Sequence, residues 1–255
     1  MRRLVFKVGS HVITANGELC LPRLRALVDL LALLHKEHEI LLVSSGPVAA
    51  GDTKFPKIDN KTTVGKQALS AIGQALIINR YQQEFDDFNI TVGQILITLD
   101  DFTSFSHSDN AKNAIESLLS NGVIPIINEN DSIVTDELLR GDNDALSAHV
   151  ANFVEADMLV ILSDIEGYCD KNPKLYDDAK ILPLVNTLSQ AELTAEATPG
   201  ESFATGGIVT KLKAAQILLD QGRQMYLASG FDLSGVRNFL LKSGEAKGTL
   251  FTRSH

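Results

Sequence analysis

The sequence predicts an α/β domain with a mainly parallel central sheet, and three observations carry the prediction. Five short runs rich in Val, Ile and Leu, "RLVFKVGS", "EILLVSSG", "GVIPIINEND", "DMLVILSDIEG" and "QMYLASG", lack the alternation of a half-exposed strand. Such runs belong to strands covered on both faces. Helical spacings separate them, the pattern expected of parallel β-α-β units. Every run also exits into Ser, Gly, Asn or Asp, so the polar exits should share the carboxyl edge of the sheet, where ligands sit in such folds.

The elements follow in order. After the first strand, Leu24, Leu27, Val28, Leu31 and Leu34 repeat at three and four residues, with Pro22 suited to a first helical turn. A second strand ends at Ser44-Ser45-Gly46, and Pro47 suits the helix start that follows. "GDTKFPKIDNKTTVG", Gly51 to Gly65, is polar and broken by Pro56, and reads as a loop able to cover a site. Ala111, Ala114, Ile115, Leu118 and Leu119 mark another helix. "DSIVTDELLRGDND" reads as a projecting hairpin, and "TLSQAELTAEATPGESFATGG" as a short acidic helix with a Gly/Pro loop. Another helix begins near Gly207, with Val209, Leu212, Ala215 and Leu219 on one face.

At 255 residues the chain suits one large domain, with 44% hydrophobic and 22% charged residues as in ordinary globular proteins. The net charge of −9, without a basic run, lacks the electrostatic footprint of a nucleic-acid binder. The first apolar run is interrupted by Lys7 after three residues, too soon for a signal peptide, and no run reaches membrane-span length. Cys20 and Cys169 lack metal-type spacing, so reduced thiols in a cytoplasmic protein are expected.

Lys7 is the first residue with a chemical reading. Inside a strand covered on both faces, an ammonium carries a desolvation penalty of several kcal/mol unless an anion meets it. The alternative is an edge position from which it reaches water. Gly9-Ser10 and Ser44-Ser45-Gly46 could each present amides to an anion, or could be ordinary turns and caps. "INENDSIVTDELLRGDND" offers Asn128, Glu129, Asn130 and Asp131, then Asp142, Asn143 and Asp144. That set could bind Mg²⁺, an amino group or a lysine, although it lacks the EF-hand ligand ladder. Ser163 and Asp164 stand at another strand end. "FATGGIVTK" is neither a Walker A loop nor a G-x-G-x-x-G turn, yet Gly206-Gly207 could offer amides to phosphates, with Lys211 one turn behind. His35, His38 and His149 suit surface or packing positions, and none is assigned a role.

"VFKVGSHVIT", "VSSGPVAAG", "GQILIT", "VIPIINENDS", "GDNDALSA", "LVILSDIEGY", "TGGIVTKLKAA" and "GTLF", in this order, resemble the amino acid kinase family across essentially the whole chain. Within it, "INEND" with "GDND" and "TGGIVTK" resembles the members that phosphorylate the γ-carboxylate of L-glutamate for proline synthesis. The resemblance implies a three-layer αβα sandwich, with ATP and Mg²⁺ as cofactors, the metal arriving with the nucleotide and no protein metal site. It implies catalytic roles for Lys7, Lys211 and Asp144, the lysines neutralising the transferring phosphoryl group and Asp144 holding them. Ser44, Gly46, Asp131 and Asn143 match acceptor-binding positions. Lys7, Gly9, Ser163, Asp164, Thr205, Gly206, Gly207, Ile208, Val209, Thr210 and Lys211 match ATP-binding ones. Also implied are a homo-oligomer, proline as feedback inhibitor, and the next pathway enzyme, glutamyl phosphate reductase, as a partner. Nucleic acid and membrane are not expected partners.

His11 and Pro47 depart from the family pattern, where Ser and Ala are usual. The expected organisation is one amino acid kinase domain over residues 1–255 without the RNA-binding-type PUA domain of many relatives. Two other readings remain at this point: a related kinase acting on acetylglutamate, and a catalytically silent amino-acid sensor on the same fold.

Overall fold

Strand β1 (Arg3–Val8) lies inside the sheet, between two parallel neighbours, with Leu4 to Val8 all buried. The structure, a computed structural model, describes residues 1–102, 105–133, 143–173, 175–194 and 206–253. After β1 come α1 (Ser10–Ile13), a small hairpin of β2 (Thr14–Ala15) and β3 (Glu18–Leu19), and α2 (Leu21–His35). Then follow β4 (Glu39–Val43), α3 (Pro47–Lys54), α4 (Thr63–Asp86), β5 (Val92–Ile97), a 3-10 turn over Leu99–Phe102, α5 (Phe105–Ser120) and β6 (Ile124–Glu129). The remaining described elements are α6 (Asp144–Phe153), β7 (Met158–Ser163), β8 (Leu184–Val185), α7 (Gln190–Thr194), α8 (Gly206–Asp220), β9 (Gln224–Ser229), α9 (Ser234–Leu241) and β10 (Thr249–Phe251).

Eight described strands form one sheet in the order β5-β6-β4-β1-β7-β9-β10-β8. Every pairing is parallel except that of β10 with β9. The five strands read from the apolar runs are β1, β4, β6, β7 and β9, and their polar exits do open on one edge. The reading did not place β5, β8 and β10 among them. β5 is an edge strand with Gln94 and Leu96 exposed, and β8 and β10 are too short to carry a periodic signal.

Two apolar cores cover the two faces, as side chains alternate along each strand. Val5, Leu41, Val43, Ile127, Leu159 and Ile161 meet Ile115 of α5, Leu146 and Val150 of α6, and Leu212 and Leu218 of α8. Leu4, Phe6, Val8, Leu42, Val160 and Leu162 meet α2, α9, and Ile77, Tyr81 and Phe85 of α4. The result is a three-layer αβα sandwich. Lys7 shares its face with Val5, two residues away, and so points toward α6 and α8.

The stretch Gly51 to Gly65 is shorter as a loop than its composition suggests. Pro47 occupies the first turn of α3, which runs on to Lys54, and Thr62 caps α4 by accepting the Gly65 N–H at 3.0 Å. α3 and α4 cross backbone to backbone. A Cβ on Gly51 would lie 2.0 Å from the Leu69 carbonyl oxygen, and one on Gly73 would lie 1.7 Å from that of Pro47. The expected hairpin after Asp131 falls mostly on residues 134–142, outside the described residues. The acidic helix is α7, and the Gly/Pro loop after it also lies outside them. No described helix is long and apolar enough to cross a membrane.

Candidate active site

Lys7, Asp144 and Lys211 arrive from three elements and meet at the carboxyl edge of the sheet. β1 delivers Lys7, paired in register with Val43 on one side and Ile161 on the other. This central position replaces the alternative of an edge lysine reaching water. Asp144 opens α6, its side chain fully buried. Nζ of Lys7 lies 2.6 Å from its Oδ1, and Nζ of Lys211 lies 3.1 Å from its Oδ2. Thr210 also donates to Oδ2 at 2.9 Å, and Lys211 Nζ donates to the Gly207 carbonyl at 3.1 Å.

Among the described residues, two buried ammonium groups share one carboxylate. Fixed positive groups gathered at the carboxyl edge of the sheet suit an incoming anion.

The helix expected to begin near Gly207 begins at Gly206. Gly206 to Lys211 form the first turns of α8, with Thr205 outside the described residues. Ile208 and Val209 turn into the apolar core, so any contact they make with a nucleotide is through the backbone. Gly207 has open space where a Cβ would be. At the β1 exit, the Gly9 N–H donates to the Leu162 carbonyl at 3.2 Å, so that amide belongs to the sheet ladder. What Gly9 contributes is room, since a Cβ there would stand 4.0 Å from Lys7 Nζ. Ser163 ends β7, and its hydroxyl donates to Asp164 Oδ1 at 2.9 Å.

A cavity of about 400 Å³ opens beside this cluster. Its wall includes Gly46, Asp131 and Asn143, expected as acceptor-binding positions, Ser10, Ser45 and Asn128, read from sequence only as parts of polar strand exits, and Asp52, Asn60 and Lys66, none of them singled out in sequence. Asn143 of the cavity wall directly precedes Asp144 of the charge cluster. Gly46 turns there with φ of 99°, a left-handed conformation open to glycine.

Asn143 ties two strand exits together. Its Nδ2 donates to the Ser44 carbonyl at 3.0 Å, to Asn128 Oδ1 at 2.8 Å and to Ser45 Oγ at 3.3 Å. Its Oδ1 is buried and meets no donor among the described residues, the kind of unsatisfied group that marks a functional site. Ser44 itself sits beneath the cavity wall, its hydroxyl 3.0 Å from that of Tyr81, and burial pushes the Tyr81 hydroxyl up to about 12. The serine that lines the cavity is Ser45.

Asp131 is held by α4. Ser70, fully buried, donates to Asp131 Oδ2 at 2.6 Å. Burial pushes the Asp131 carboxyl up, the Ser70 hydrogen bond opposes that, and the charge of Glu129 adds to it. Neither Ser70 nor Lys66 stood out in sequence. A Ser and a Lys inside a helix carry no local signal, and only their i, i+4 spacing places them on one face. Among the described residues, no group of three or more His, Cys, Asp and Glu could hold a metal ion. His149 stacks on Phe102, with ring centroids 5.8 Å apart, in line with packing.

The family model for the amino acid kinase family matches residues 2–229. The chain is 48% identical to a glutamate 5-kinase of Wolinella succinogenes, with 99% of this chain and 98% of that protein aligned. It is 48% identical to a glutamate 5-kinase of Leishmania donovani, over 98% of this chain and 95% of that protein. Among solved structures, it resembles carbamate kinase from Giardia lamblia bound to AMP-PNP, with a TM-score of 0.68 at 16% identity and 98% of each chain covered. At that identity the likeness shows the fold.

Proposed function

The chain belongs to the amino acid kinase family, and we propose that it transfers the γ-phosphoryl group of ATP to the γ-carboxylate of L-glutamate. The product is γ-glutamyl phosphate, the first intermediate of proline synthesis. The observation that carries the reading is the pair of buried lysines on Asp144, near a cavity whose wall includes Asp131, Asn143 and Lys66. The glutamate 5-kinase relatives, aligned over nearly their whole length, point to the same acceptor.

The chemistry needs no general base. A carboxylate with a reference pKa of about 4.3 is ionised near neutrality and is already a nucleophile. One of its oxygens attacks the γ-phosphorus, the bond to the ADP oxygen breaks, and the electron pair leaves with ADP. The obstacle is bringing one anion to another, so positioning and fixed positive charge supply the acceleration. Lys7 and Lys211 stabilise charge on the transferring group, and Asp144 sets the position of both. The open face at Gly207 receives the phosphates. Mg²⁺ enters with ATP and neutralises part of its charge.

At the acceptor end, Asp131 takes the substrate ammonium, while Asn143 and the Gly46 turn border the path of the γ-carboxylate. A free ammonium favours an acidic partner such as Asp131, which an acetylated amine would not need. Proline acting as a feedback inhibitor, a homo-oligomer, a cytoplasmic location and an encounter with the reductase that consumes the product complete the reading.

The test is acyl phosphate formation trapped with hydroxylamine, dependent on ATP and Mg²⁺, with L-glutamate, N-acetylglutamate and aspartate in parallel and UMP followed by ADP release. Turnover with glutamate alone is expected. Glutamate binding without turnover of any acceptor would turn the reading to a sensor.

A further inference from the structure

Among the described residues of the cavity wall the one cation is Lys66. Lys66 lies in the opening turns of α4, one turn before Ser70. Residues four apart on a helix are neighbours, about 5–6 Å between Cβ atoms, and their side chains lean the same way. Ser70 touches Asp131, so the cation and the carboxylate border one end of the same cavity.

That pairing has a stereochemical meaning. An α-amino acid carries its ammonium and its α-carboxylate on one carbon, so a site reading both needs an acid and a base side by side. Asp52, the other described acid on the wall, is engaged by the Asn60 amide at 2.7 Å. The helix that carries Lys66 is held in place, because α4 is locked on α3 at Gly51 and Gly73 and capped at Thr62.

We propose that Lys66 binds the α-carboxylate of the acceptor and so makes the enzyme select substrates charged at that position. The proposal rests on the glutamate reading above and adds the residue that reads the end of the molecule remote from the chemistry. The interaction is a charge-assisted contact in a half-buried site, formed equally in the ground and transition states. It therefore bears on acceptor affinity rather than on turnover.

The experiment compares L-glutamate with its α-amide, which keeps the ammonium and the γ-carboxylate but loses the α-charge. Wild type should prefer glutamate by about tenfold or more in kcat/KM, the size of one good charged contact. Lys66→Gln should lose about that factor for glutamate, keep its KM for ATP, and treat the two acceptors alike. Lys66→Arg should restore most of the preference. If the α-amide is turned over too slowly, its inhibition constant against glutamate gives the same ratio.

Equal losses for both acceptors, or an unchanged preference in Lys66→Gln, would overturn the role of Lys66 while leaving the kinase intact. Absence of glutamate turnover by wild type would instead overturn the underlying function.

Discussion

Nζ of Lys7 stands 2.6 Å from Oδ1 of Asp144, a carboxylate with no exposed surface. The same carboxylate meets Lys211 through its other oxygen, so one acid spaces two bases that would otherwise repel. In the proposed reaction Asp144 acts indirectly, through the positions of the lysines.

Removing either lysine should therefore remove one preorganised charge. Lys7→Ala or Lys211→Ala is expected to lower kcat about a hundredfold or more, as loss of one transition-state donor does elsewhere. Steady-state assays at saturating ATP and glutamate, on protein shown to be folded by circular dichroism, decide it. Wild-type turnover in either variant would sink the assignment.

Asp144→Asn keeps the shape and removes the charge. Two buried ammonium groups would then lose the carboxylate they share, so both kcat and stability should fall. Breaking a buried pair costs roughly 3–5 kcal/mol. Denaturant unfolding should show the loss, and added ATP should recover part of it, because a polyanion supplies the missing charge. Stability equal to wild type would mean the carboxylate is not the group that holds the lysines apart.

Asp131 must be ionised to take an ammonium. Burial already raises its carboxyl, and Ser70 works against that. Deleting the Ser70 hydroxyl should raise it further, so Ser70→Ala moves the acidic limb of kcat/KM for glutamate to higher pH. The sign is fixed. Acceptor binding is lost as pH falls through the folded value, and a higher value means earlier loss. Asp131→Asn should remove that limb and raise the KM for glutamate more than that for ATP. A profile of Ser70→Ala superimposed on wild type would show that the hydroxyl does not hold the carboxylate.

The α3–α4 crossing offers a test remote from any charge. Gly73→Ala places a methyl 1.7 Å from the Pro47 carbonyl oxygen, so one backbone must move. Overpacking of this kind costs typically 1–3 kcal/mol, and backbone against backbone leaves little room for escape. The denaturation midpoint should drop accordingly. The KM for glutamate should rise as α4 shifts Ser70 and Lys66 away from the cavity, while an unchanged midpoint would show that the crossing is looser than its geometry.

The sequence by itself determined the layers and the edge on which chemistry occurs. Short unalternating apolar runs such as "LVILS", bounded by turn residues and separated by helical spacings, suit strands buried on both faces, and parallel strands put all their polar exits together. It also exposed Lys7, because an ammonium inside such a run demands an anion. Asp144 and Lys211 were legible only as members of a motif, and the contact of both lysines with one carboxylate is a tertiary fact. It follows from Lys7 sharing a face with Val5 and from α6 and α8 covering that face.

At the cavity, the family resemblance supplied Gly46, Asp131 and Asn143, and the tertiary structure decided what surrounds them. Ser45 rather than Ser44 reaches the cavity, Asn143 joins two strand exits, and Lys66 and Ser70 come in from a helix that sequence reading left without a role. Contacts of that kind join residues far apart in the chain. Local propensity and periodicity report which face of an element is apolar, but not which distant element comes to lie against it.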